Sequence, residues 1–227
     1  MSAPFRVALY YAPDPDDPLA AAGAAWLGRD AVAGAAVDQP DHAGIAEVTA
    51  ESRLYGFHAT LKPPMRLRAG VAWADMVAAA ETLAAGIAPF DLPPLALADV
   101  HGFLALREAA PSVALQALAD LCVAGCDHLR AAPEPAELER RRPAGLSPAQ
   151  AAMLARWGYP YVFGTWFFHM TLTRRLEPGE RARWRAAAAA HFAAALAHSR
   201  RVAAIALFTQ AREGAPFRHA LRLALRG

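Results

Sequence analysis

Residues His58-Ala59-Thr60-Leu61 and His169-Met170-Thr171-Leu172 carry one pattern, His-x-Thr-Leu, 111 positions apart (58 to 169), and each opens the same succession of expected elements. After the first copy the sequence predicts a helix from about Trp73 to Ala85, ended by Gly86. Strands then follow over Leu95–Val100 and Phe103–Leu106, around the tight-turn pair His101-Gly102. After the second copy it predicts a helix from Pro178 to about His198 and strands over Val202–Gln210 and Phe217–Leu225. A chain that twice runs strand, helix, strand, strand has few ways to bury its apolar faces, and each unit makes a small sheet backed by helices. The expected fold is therefore α+β, with two pseudo-symmetric β-α-β-β lobes around a central cleft. Residues 1–227 read as a single bilobal domain, with motif strands at 56–62 and 165–173.

A strand alternates its side chains between two faces. His58, Thr60 and Lys62 should share one face of the first motif strand, with Phe57, Ala59 and Leu61 on the other. His169, Thr171 and Thr173 align in the same way against Phe168, Met170 and Leu172. A face built of His, Thr and Lys is costly to bury without partners, and lining a cleft removes that cost. One His-x-Thr alone reads as a satisfied sheet histidine. Two copies, both followed by Leu and both opening the same succession, are a much rarer accident. Imidazole titrates near neutrality, so one ring can accept a proton while the other donates one. Displacement at phosphorus sets the attacking and leaving oxygens roughly in line. His58 and His169 on opposite sides of one phosphorus thus fit a base and an acid, and the sequence leaves open which is which. Thr60 and Thr171 hydroxyls and the Lys62 ammonium are the expected phosphate ligands, and Thr173 on the same face is a candidate substrate contact.

Lys62 is the single lysine among 23 basic residues, the rest being arginine, which points to a position that needs a compact ammonium. Aromatic residues crowd both motifs, and core packing accounts for most of them. Tyr55 and Tyr161 are the candidates for stacking on a base or bonding a sugar. Arg29, Arg53 and Arg174 are candidate second anion contacts, a weak signal in so arginine-rich a chain. A net charge of +2 advertises neither a DNA track nor a membrane surface. A small phosphorylated substrate ranks first as partner and RNA second. Cys122 and Cys126, four apart in an apolar helical stretch, read as buried thiols and fit a reducing cytoplasm. The other six histidines make no ligand set, so no metal and no cofactor is expected. No apolar run approaches the ~18 residues of a membrane span, and no Gly-rich phosphate loop or nucleophile elbow occurs. The run Glu139-Arg140-Arg141-Arg142 reads as a solvated face.

On these residues the chain resembles the two-histidine (2H) phosphoesterase superfamily, which is defined by two His-x-Thr/Ser motifs on duplicated lobes. The segments Tyr55–Lys62, Trp157–Phe163 and Phe168–Thr173, with Trp26-Leu27-Gly28-Arg29-Asp30, resemble its bacterial branch named for phosphonate metabolism. The resemblance implies a bilobal fold with a central cleft, His58 and His169 as catalytic residues, and Thr60 and Thr171 as phosphate ligands. Relatives in the superfamily open 2′,3′-cyclic phosphates, form or break 2′-5′ RNA linkages, or process other nucleotide phosphoesters. The branch implies a small sugar-phosphate ester, such as a ribosyl cyclic phosphate from carbon–phosphorus bond breakdown. The leading expectation is a metal-independent cyclic phosphodiesterase for a small sugar phosphate or nucleotide. The alternatives are an RNA 2′,3′-cyclic phosphodiesterase or 2′-5′ RNA ligase, and a phospho-ligand sensor that binds without turnover.

Overall fold

The computed structural model describes residues 4–140 and 145–227; Arg141 and Arg142 of the charged run lie outside them. In chain order the strands are β1 (Arg6–Tyr11), β2 (Arg29–Asp30), β3 (Ala35–Ala36), β4 (Ala59–Met65), β5 (Phe90–Leu92), β6 (Leu95–Val100), β7 (Phe103–Glu108), β8 (Met170–Thr171), β9 (Arg200–Val202), β10 (Ala204–Gln210) and β11 (Arg218–Ala224). The helices are α1 (Pro18–Leu27), α2 (Ile45–Val48), α3 (Ala50–Tyr55), α4 (Trp73–Ala85), α5 (Val113–Cys126), α6 (Pro135–Arg140), α7 (Pro148–Trp157) and α8 (Pro178–Leu196).

Local chemistry sets many of these boundaries. Asp17 accepts the Leu19 N–H and Pro18 opens α1, while Gly28 closes it at φ +72°. Ser147 and Gln150 exchange hydrogen bonds at the start of α7, and Gly158 ends it at φ +71°. His101 and Gly102 both have positive φ, +51° and +96°, and the two-residue turn they form joins β6 to β7. The helix α3 carries Tyr55 to the edge of the site.

Seven strands form one antiparallel sheet in the order β11-β10-β1-β4-β8-β7-β6. The two sequence repeats are interleaved in it. The hairpin β6–β7, which follows the first motif in sequence, flanks the second motif strand β8. The hairpin β10–β11, which follows the second motif, reaches the first motif strand β4 through β1. The repeats therefore do not make two self-contained sheets. They meet where Ala59 pairs with Met170, and the intervening helices cross over with them, α4 packing on β11 and α8 on β6.

One face of the sheet carries the main core. Val7, Leu9, Tyr11, Ala59, Leu61, Met170 and Leu172 pack there against Leu19 and Trp26 of α1, Met76 of α4, Leu115 of α5 and Trp184 and Phe192 of α8. Cys122 and Cys126 of α5 are buried free thiols in the same core. The other face holds a smaller apolar cluster that includes Ala8, Tyr10, Ala206, Phe208 and Phe217. Two indoles tie the motif strands to their surroundings: Trp26 Nε1 donates to Leu172 O at 3.0 Å, and Trp166 Nε1 donates to Thr60 O at 2.8 Å.

The motif strands differ from their expected form. β4 does not stop at Lys62 but runs through Pro63 and Pro64 to Met65. The pairing with β1 slips between Leu9↔Lys62 and Val7↔Met65, so the prolines fall at an irregularity where no ladder N–H is required. β8 is reduced to Met170–Thr171, and a 3₁₀ turn at Phe163–Thr165 replaces the expected start of that strand. The Thr165 hydroxyl bonds the Pro160 and Val162 carbonyls there, which favours the turn over extended backbone. Among the described residues no helix is long and apolar enough to cross a membrane.

Candidate functional site

A cavity of about 640 Å³ opens on the face of the sheet opposite the main core, and His58, Thr60, His169 and Thr171 all line it. The two histidines are held by the same local device. His58 Nδ1 lies 2.9 Å from Gly56 O, and His169 Nδ1 lies 3.1 Å from Phe167 O, in each case the carbonyl two residues earlier. A carbonyl only accepts, so Nδ1 carries the proton in both rings and each Nε2 is left with its lone pair. Each ring also lies on an aromatic partner, His58 on Tyr10 at 3.6 Å and His169 on Phe167 at 4.6 Å between centroids. Thr60 Oγ1 stands 3.3 Å from His58 Nε2.

Burial pushes the His58 imidazole down to about 4, with the Gly56 hydrogen bond opposing the shift and the charge of His169 adding to it. Burial likewise lowers His169, opposed by the Phe167 carbonyl and aided by the Arg107 guanidinium. Both rings therefore rest in the neutral form at neutral pH.

Tyr55 also reaches the cavity, stacked on Phe217 at 5.3 Å. The remaining expected ligands do not. Lys62 is 2% exposed and faces the helices: its Nζ donates to Val123 O at 3.1 Å and to Asp127 Oδ1 at 3.2 Å. The cause is a bulge. Tyr10 pairs with Thr60, but Leu9 pairs with Lys62, so Leu61 and Lys62 together oppose one residue of β1 and Lys62 is turned off the Thr60 face. Thr173 is buried, and its hydroxyl accepts the Leu104 N–H at 3.0 Å. Tyr161 packs edge-on to Tyr159 and Phe167; it is Tyr159 that lines the cavity. Arg29 is buried and donates to the carbonyls of Arg53 and Phe217. Arg53 bonds Leu27 O, Gln39 and Thr49, and Arg174 forms a paired bond with Glu180. These three arginines brace loops.

The cavity wall contains groups that sequence reasoning missed: Arg6, Tyr10, Gln210 and the carboxylates of Glu51, Glu137 and Glu213. The alternation of β1 puts Arg6 and Tyr10 on one face, but nothing in the sequence says which strand lies beside β4. Arg107, which stands over the Phe167 ring at 5.3 Å, is a second cation beside His169. Among the described residues no three His, Cys, Asp or Glu side chains are grouped to hold a metal ion. His191, one of the histidines assigned no ligand role, bonds Ala22 O at 2.8 Å.

The family model described as "Protein of unknown function (DUF1045)" matches residues 60–218, more than half of the chain. The chain belongs to the DUF1045 family. Two curated relatives of this DUF1045 chain are named ribose 1,5-bisphosphate phosphokinase PhnN. The one from Janthinobacterium sp. (strain Marseille) is 41% identical over 223 residues, covering 93% of this chain and 49% of its own length. The one from Laribacter hongkongensis (strain HLHK9) is 40% identical over 215 residues, covering 94% and 50%. The chain thus spans about half the length of the curated relatives it matches. Among solved structures, E. coli LigT complexed with 3′-AMP is similar over 99% of both chains at 15% identity, with a TM-score of 0.48. A structure titled as a phosphoesterase is similar over 99% of this chain and all of its own, at 14% identity and a TM-score of 0.48.

Proposed function

We propose that this chain is a phosphoesterase that opens the cyclic phosphodiester of a small sugar phosphate or nucleotide, with His58 and His169 as the acid–base pair and no need of a metal ion. The observation that carries this reading is the matched tethering of the two rings through Nδ1, which leaves Nε2 as the basic nitrogen of each, His58 Nε2 within reach of the Thr60 hydroxyl, in one cavity lined by both histidines and both threonines. In the proposed step one Nε2 takes a proton from water as the water oxygen attacks phosphorus. The ester P–O bond breaks on the far side, and the departing alkoxide takes the proton held by the other imidazole. The threonine hydroxyls donate to the non-bridging oxygens as charge develops there. A bound phosphate anion favours protonation of one imidazole, which offsets the lowering by burial.

The names of the curated relatives bring the chemistry of a phosphorylated pentose, in keeping with the phosphonate-metabolism branch that the sequence resembles. The only lysine here, Lys62, stands between Leu61 and Pro63, so the chain holds no Gly-Lys-Ser/Thr phosphate loop for a nucleoside triphosphate. Ester opening by the histidines fits this chain better than kinase chemistry.

The test is a panel of nucleoside cyclic phosphates, sugar cyclic phosphates and short RNAs with 2′,3′-cyclic ends, assayed with EDTA present. Ring opening to a phosphomonoester in EDTA is the expected result. No turnover of any compound contradicts the esterase reading, and activity lost in EDTA and restored by zinc contradicts its metal-free form.

A further inference from the structure

The cavity extends beyond what one phosphate requires. Arg6 stands in its wall four residues from Tyr10, the ring on which His58 lies. Four residues of strand span about 13 Å, the separation of the two backbones along β1. Arg6 is also braced. Its Nε–H donates to Gln210 Oε1 at 2.7 Å, and buried Gln210 is itself fixed by donating to Ala215 O at 2.7 Å. The guanidinium carbon sits 5.4 Å from the Phe217 ring centroid. Its two terminal nitrogens make no hydrogen bond or ion pair with any described residue.

Most of the other arginines near the site are occupied. Arg29, Arg53 and Arg174 are spent on backbone and carboxylate partners. A guanidinium oriented through Nε, on a residue that lines the cavity and with outer N–H groups that bond no described residue, is a fork shaped for the oxygens of a phosphate or carboxylate. Nothing in the acid–base scheme uses it.

We propose that Arg6, set by Gln210 and Phe217, is a second anion subsite. It takes a phosphomonoester or carboxylate that the substrate carries about one sugar unit from the phosphorus held between His58 and His169. This rests on the esterase reading of the same cavity. The remaining wall agrees with a short substrate: the Glu51 carboxylate at the cavity can accept from sugar hydroxyls and disfavours a continuous run of phosphates. The reaction that supplies such a substrate must leave one phosphate cyclised on the sugar and a phosphomonoester or carboxylate about one sugar unit away.

The experiment compares kcat/KM for uridine 2′,3′-cyclic phosphate, for the same compound carrying a 5′-phosphate, and for its 5′-carboxylate analogue, with the wild type and Arg6→Gln. The wild type is expected to prefer a 5′-anionic compound tenfold or more, and whichever anion gives the larger gain names the source. In Arg6→Gln that preference should fall to within twofold of unity. Because the quantity read is a ratio on one protein sample, partial unfolding of the variant cancels. A wild-type ratio near one, or a ratio that Arg6→Gln leaves intact, overturns the subsite. If no compound is turned over, the esterase reading has failed instead, and calorimetric dissociation constants for the same compounds decide the subsite by the same ratio.

Discussion

His58 and His169 combine a fixed tautomer with a depressed affinity for protons, and the combination has a consequence for pH. In the free protein a base must be neutral and an acid protonated, so kcat/KM is largest between the two pKa values. Both are lowered from 6.5, His58 to about 4. The kcat/KM optimum is therefore expected on the acid side of pH 6.5, and an optimum above pH 7.5 contradicts the assigned environments. Lys62 makes the opposite case. Its type was conspicuous in the sequence, and a compact ammonium is indeed what the site needs, but as a cation at the C-terminal end of α5 beside Asp127. Lys62→Ala strands Val123 O and leaves Asp127 paired with Arg130 alone, an expected loss of about 1–3 kcal/mol in urea unfolding. The kcat/KM of the folded variant should stay within about threefold of wild type, whereas a phosphate ligand would cost tenfold or more. That His58, Thr60, His169 and Thr171 face one cavity was legible because the motif occurs twice. Lys62, Thr173 and Tyr161 were misplaced because period-two counting assumes an unbroken ladder, and neither a bulge nor a 3₁₀ turn is written in the alternation.

At the scale of elements, the helices were the most legible part: the one expected over Trp73–Ala85 and ended by Gly86 is α4, and the one expected from Pro178 is α8, which ends at Leu196. Strand pairing was not legible. The sequence orders the hairpins but carries no sign that β6–β7 flanks β8, or that β1 lies between β10 and β4. That insertion is what brings Tyr10 under His58 and Arg6 into the cavity. The seating of α1 is equally specific. A Cβ on Gly23 would stand 2.1 Å from the Phe57 ring, the residue just before His58. Gly23→Ala is therefore expected to destabilise by about 1–3 kcal/mol through overpacking, despite the helix propensity it gains. Displacement of Phe57 should also lower turnover. A thermal melt equal to or above wild type contradicts that packing.

For the whole molecule, interleaving the repeats in one sheet makes the site and the fold interdependent: β4 and β8 touch at its centre, and a histidine immediately precedes each. Burying two neutral imidazoles also links stability to pH. The unfolded chain binds these protons near 6.5 and the folded one only at lower pH, His58 near 4, so the unfolded state holds more protons in between. Stability contributed by neutral burial is present above about pH 6.5 and declines as pH falls toward 4. Urea midpoints should drop across that window, and less steeply in His58→Gln. The central claim is that two imidazoles, one from each repeat, work on a single phosphorus. Turnover of a cyclic phosphodiester by His58→Ala and by His169→Ala, each verified as folded, tests it most directly. The account predicts a fall of about 100-fold or more in kcat for each variant alone, and full turnover retained by either one contradicts it.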